Sequence, residues 1–180
     1  MKVLFKKILI VMLSVLLVLP AMRPKAELLG GKWTSEIRVY CDSSVTEDMK
    51  SSIATAINSW NNRLKNINAN IYIRYLYSPE ANLANVTVTT RNYTGAVALT
   101  TNYPSKTAKI YTGALIEYNK NLFENLTTTV ERVNSASHEI GHVLGLDHTT
   151  TSRPSVMKNA IQKNNALPTD FDQEELDKIY

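Results

Sequence analysis

Residues 138–148 read HEIGHVLGLDH, and this stretch governs how the rest of the chain is understood. His138 and His142 stand four residues apart, so on a helix their rings project from one face, side by side. Glu139 is adjacent to the first ring and leans toward the same side. Gly145 lets the chain leave the helix sharply, through positive φ, and the turn brings His148 back toward the first two rings. The chain has 3 histidines, and all of them lie in this segment. Neutral imidazoles at about 2.0–2.1 Å are good zinc ligands, and three protein ligands leave a fourth position open, as in catalytic sites. A lone histidine is more often a satisfied core or surface residue, and a bare HExxH can arise on any polar helix. The third histidine and the intervening glycine set this pattern apart.

Working outward, Thr128-x-x-Glu131 is a capping box that opens the histidine-bearing helix. Val133, Ser137, Ile140 and Leu144 lie on or near one stripe of it. Upstream, Ile37, Val39 and Cys41 alternate with Glu36, Arg38 and Tyr40, the period of a strand. The spacing predicts a first helix over 46–64. Thr46, Glu47 and Asp48 suit its positive end, and Met49, Ile53, Ala56, Ile57, Trp60 and Leu64 form one apolar face. Alternation returns at Ile71, Ile73 and Tyr75, at Val86 and Val88, and at Ala96, Ala98 and Thr100. A last strand is expected over 110–118. Gly95, Asn102, Tyr103, Pro104 and Ser105 punctuate these strands. Residues 119–129 read as irregular and polar. Residues 170–180 read as a short closing helix anchored by Leu176, Ile179 and Tyr180. Five strands and three helices describe an α+β sheet packed against helices.

At 180 residues and 44% apolar content the chain suits one domain. The net charge of +4 misleads, because Lys2, Lys6, Lys7, Arg23 and Lys25 all precede Glu27. From Glu27 onward 15 basic residues face 16 acidic ones, so a nucleic-acid partner is not expected. Residues 1–26 read as a secretory signal peptide or N-terminal membrane anchor, with Lys2, Lys6 and Lys7 before an apolar run over 8–19. That run is short for a span of about 20 residues. The expectation is a secreted, extracellular protein of bacterial type, with membrane contact only if the segment stays uncleaved, and a single catalytic domain over 27–180. Cys41 is the only cysteine, so no internal disulfide exists, and its strand position predicts a buried thiol.

HEIGHVLGLDH resembles the long zinc signature HExxHxxGxxH of the metzincin metallopeptidases. Ser155-Val156-Met157 resembles their Met-turn, which places Met157 beneath the zinc as a non-ligating base. Thr149 after the third histidine makes the chain most similar to the matrixin branch, the matrix-metalloproteinase-like one. Lys158 and Asn159 follow Met157, so the extra tyrosine ligand of other branches is missing. The resemblance implies a mixed, mostly parallel five-stranded twisted sheet, with an active-site helix and a Met-turn below the zinc. It also implies a protein or peptide substrate bound along an edge strand near Gly95 to Thr101. A medium apolar S1′ pocket would lie between His138 and the segment Pro154 to Val156. The chain departs from the vertebrate pattern in having no further histidines for a second, structural zinc and no cysteine in residues 22–35 to cap the first.

The expected function is a monomeric zinc endopeptidase. His138, His142 and His148 would hold one Zn²⁺, Glu139 would act as general base toward a zinc-activated water, and Gly145 and Met157 would support the site. Tyr118 and Tyr180 stand as possible neighbours of the site. Asp170, Asp172 and Glu174 offer oxygen donors without EF-hand spacing, which leaves structural Ca²⁺ open. Two rival classes are a non-peptidase zinc amide hydrolase and a zinc-stabilised interaction domain without activity. His148 as a third ligand and the Met-turn argue against the first, and Glu139, which a structural zinc would not need, argues against the second.

Overall fold

A computed structural model describes residues 28–104 and 109–180. The expected signal segment lies outside the described residues. No helix among them is long and apolar enough to cross a membrane.

Alternation at Ile37–Cys41 gives β1, with Ile37 and Val39 fully buried. Helix α1 runs Glu47–Asn66. Thr46 caps it by accepting from the Met49 amide, and Glu47 and Asp48 sit in its first turn. All six residues of its expected apolar face are buried. Each such aliphatic side chain contributes roughly 1.5–3 kcal/mol of burial. Strands β2 (Ile73–Leu76), β3 (Val86–Thr90), β4 (Ala98–Tyr103) and β5 (Gly113–Tyr118) follow. They form one sheet in the order β2-β1-β3-β5-β4, parallel except for β4, which pairs antiparallel with β5 and closes one edge. This is the mixed, mostly parallel sheet that the resemblance implied.

Several boundaries differ from expectation. β5 begins at Gly113 because Ile110 instead forms an isolated bridge with Lys32. Asn102 and Tyr103 lie within β4 and do not end it. The stretch read as irregular contains a short helix α2 (Lys120–Glu124), whose N-cap Asn119 accepts from the Leu122 amide. Its single buried residue, Phe123, gives no periodic signal, so a run of polar residues concealed it.

Helix α3 (Thr129–Val143) carries the histidines and opens with the expected capping box of Thr128 and Glu131. It packs against α1, and two tryptophans peg it from outside. Trp60 Nε1 donates to the Ser137 carbonyl at 2.8 Å, and Trp33 Nε1 donates to the Val143 carbonyl at 2.7 Å. Both rings are essentially inaccessible to water. Helix α4 (Asp170–Leu176) closes the chain and ends before Ile179 and Tyr180, which pack partly buried against the core. Cys41 is buried as expected, and burial pushes its thiol up to about 11.

Candidate metal centre and active site

The site is built where α3 ends. The helix stops because Gly145 takes φ +100°, a conformation open to glycine at little cost. A Cβ there would also meet the Gly31 carbonyl oxygen at 2.5 Å. The N-terminal strap runs close by, its Leu29 amide donating to the Gly145 carbonyl at 2.9 Å. The reversed chain then carries His148 back over the helix.

The three rings meet through their Nε2 atoms. His142 and His138 are 3.0 Å apart at these atoms, His138 and His148 3.2 Å, and His142 and His148 3.3 Å. Tetrahedral ligands with the usual zinc–nitrogen bond lie about 3.3 Å from one another. The far ring nitrogens fix the tautomers. His138 Nδ1 donates to the Val156 carbonyl at 2.8 Å, and His142 Nδ1 donates to the Leu146 carbonyl at 2.8 Å. Each Nε2 lone pair is thereby turned inward as an acceptor, as in outer-shell support of metal-ligating histidines. Burial, helped by the neighbouring imidazoles, holds His138 down to about 4 and His142 down to about 3, so both rings stay neutral at neutral pH. Three imidazole Nε2 atoms converging on one point call for a cation, and the donor set fits zinc. Among the described residues this is the one cluster of histidine, cysteine and carboxylate groups placed to hold a metal.

Glu139 sits beside the cluster, 5% exposed. Its Oε2 accepts a 2.6 Å hydrogen bond from Thr100 Oγ1 on β4. Burial pushes its carboxyl up to about 7, and the Thr100 hydroxyl opposes the shift. Asn102 ties the same strand to the helix, its Nδ2 donating to the His142 carbonyl at 2.8 Å. Thr100 and Asn102 were not read as site residues. Their only sequence signal is that they share β4's inward face with Ala98.

Met157 packs against the histidine-bearing helix, its sulfur so close to Gly141 that a Cβ there would stand 2.3 Å from Sδ. The turn is clamped by Asp172 of α4, which is 1% exposed. Its carboxylate accepts from Ser155 Oγ at 2.5 Å, from the Val156 amide at 3.1 Å and from the Thr169 amide at 2.8 Å. Asp170 pairs instead with Arg63 at 2.7 Å, and Glu174 forms two bonds with Arg153 at 2.6 and 2.8 Å.

The chain therefore has the metal-ligand set, the adjacent carboxylate and the methionine-bearing turn on one frame. The matrixin family model matches residues 32–180.

The chain belongs to the matrixin family.

As a matrixin it carries a single catalytic zinc site formed by His138, His142 and His148, with Glu139 beside it. Among solved structures it is similar to "Structure of Myroilysin", at 17% identity and a TM-score of 0.57, with 89% of each chain covered. A second, "Crystal structure of myroilysin", has 17% identity and a TM-score of 0.52, covering 91% of this chain and 88% of that one. These likenesses show a shared fold. A comparison with curated proteins finds no match to this sequence.

A cleft runs past the cluster between β4 and α3. Gly95 to Thr100 line one side, and Asn134, Ser135, His138 and Glu139 line the other. Its far wall differs from expectation. Pro154 to Val156 do not line it: Ser155 and Val156 are buried beneath, held by Asp172, and Lys158, Asn159 and Ile161 take their place. Tyr118 and Tyr180 do not line it either. Tyr118 is fully buried in the core, and the Tyr180 hydroxyl donates to the Leu144 carbonyl at 3.0 Å.

Proposed function

We propose that this matrixin is an exported endopeptidase in which Glu139 is the general base and an extended peptide lies along β4. The observation that carries the proposal is the placement of the Glu139 carboxylate beside three convergent imidazoles in an open cleft. When bound by His138, His142 and His148, zinc supplies Lewis acidity toward a water and toward the scissile carbonyl.

The chain's own residues do the rest. Thr100 holds Oε2 of Glu139, which leaves Oε1 for the attacking water. Glu139 accepts the water proton and passes it to the leaving amine. Met157 and Gly145 serve as supports, the first filling the floor beneath the rings and the second setting the turn to His148.

Strand geometry supports the peptide's course. The Val97 carbonyl accepts from Asn119 and the Tyr103 carbonyl from Thr112, both toward the β5 side. Alternation then turns the main-chain groups of Ala96, Ala98 and Thr100 to the open edge, where a peptide can add as a further strand. The basic-then-apolar residues 1–26 support export, with 27–180 as the catalytic unit. Incubating the protein with a quenched fluorescent peptide library tests this reading. Cleavage should stop with a chelator and return on adding zinc. Cleavage that persists without zinc would overturn it.

A further inference from the structure

The cleft beside His138 is lined by polar as well as apolar side chains. One turn before the metal-ligating and basic residues, α3 presents Asn134 and Ser135 to the cleft, and the post-methionine segment presents Lys158 and Asn159 across from them. Ile161 is the apolar part of that wall. Asn134 is already committed. Its Nδ2 donates to the Asn165 carbonyl at 2.6 Å, and its Oδ1 accepts from the Gln162 amide at 2.9 Å, so it fastens the wall to the helix. Ser135 and Lys158 are not committed. Among the described residues, no hydrogen bond or ion pair of the chain uses the Ser135 hydroxyl or the Lys158 ammonium. Lys158 is also the only Lys or Arg of the cleft lining. The two acidic lining residues are engaged elsewhere, Glu139 with Thr100 and Asp147 with the His148 amide at 2.8 Å.

Lys158, half-buried as a residue, and Ser135 line the cleft without partners, and on the peptide course proposed above they border the place where the side chain after the scissile bond would enter. An aliphatic side chain there would leave both donors unpaired and partly desolvated, which is unfavourable. A carboxylate would satisfy both through charge-assisted hydrogen bonds. From this we infer that Lys158 and Ser135 make the enzyme select substrates with an acidic residue, Asp or Glu, immediately after the cleaved bond. The inference rests on the peptidase reading above and on the peptide running along β4.

The test is cleavage-site mapping on a random peptide library by mass spectrometry, for the wild type and for K158E and S135A. Matched peptides with Glu, Gln, Leu or Lys after the bond follow. The wild type should favour Glu over Gln by roughly tenfold, since the two differ only in the charge that Lys158 reads. In K158E the ratio of Glu to Lys peptides should invert, and S135A should narrow the preference of Glu over Leu. Dissociation constants of these peptides for the E139Q protein, which binds without turnover, should follow the same order. Zinc content and melting temperature of each variant report whether it has folded. Cleavage before apolar residues, with a profile that K158E leaves in place, overturns the inference and leaves the peptidase reading standing. No cleavage of any peptide by the zinc-loaded wild type overturns both.

Discussion

Thr100 Oγ1 lies 2.6 Å from Glu139 Oε2, joining the edge strand on which a peptide would lie to the carboxylate that would take its proton. The bond crosses 39 residues of chain and holds one carboxylate oxygen still, so the other keeps a fixed aim. Thr100 is a positioning residue in this arrangement. Replacing it with Val keeps the shape and removes the donor. T100V should lower kcat about tenfold with KM little changed, the loss of one oriented hydrogen bond, while T100S should recover most of the rate. Steady-state kinetics of the two variants checks this. A rise in KM alone, or no recovery by Ser, would point to packing.

Gly145 should tolerate no side chain. At φ +100° an Ala is strained, and its Cβ would press on the Gly31 carbonyl, which is backbone and cannot swing aside. G145A should cost about 2–4 kcal/mol from backbone strain and overpacking together. Because the same turn delivers His148, zinc affinity should fall with it. Chemical denaturation and zinc titration read the two effects separately.

Asp172 stands far from the cleft chemistry in sequence but clamps the methionine turn from below. D172A would strand the buried Ser155 hydroxyl and the Val156 and Thr169 amides. A loss of about 2–4 kcal/mol is expected. The Val156 carbonyl orients His138, so the variant should also bind zinc more weakly than the wild type. Denaturation and metal competition measure these losses.

The metal-free protein should show two opposed pH dependences. His138 and His142 have folded values of about 4 and about 3, below the ordinary 6.5, so the unfolded chain binds more protons. Their contribution is present above pH 6.5 and is lost as pH falls toward 4. Glu139 runs the other way. Its folded value of about 7 exceeds the ordinary 4.5, so its contribution is complete below pH 4.5 and is lost as pH rises through 7. Without zinc, E139Q should therefore melt above the wild type at pH 8, and the difference should shrink at pH 5. Thermal melts of chelated protein at both pH values give the answer. An equal difference at both would contradict the assigned burial.

Much of this was legible in the residues. The apolar face of α1, the capping box at Thr128 and Glu131 and the four-residue spacing of His138 and His142 are local patterns, and each appears as read. The long HExxHxxGxxH signature and the residues around Met157 carried the rest of the fold. What was not legible depends on contacts between distant segments. Thr100 and Asn102 face α3 only because β4 pairs with β5 at the sheet edge. Trp60 read as a core residue, yet its ring nitrogen, like that of Trp33, also caps a carbonyl along α3. The cleft wall was misplaced by a few residues because Asp172 holds Ser155 and Val156 inward, and Lys158, Asn159 and Ile161 line the cleft instead.

The most direct test compares wild type with E139Q, measuring bound zinc and peptide hydrolysis on the same preparations. Each protein should hold about one zinc per chain. The wild type should cleave, and E139Q should lose at least about a thousandfold in rate, the scale of a missing general base. Hydrolysis by E139Q close to the wild-type rate, with zinc retained, would contradict the role given to Glu139.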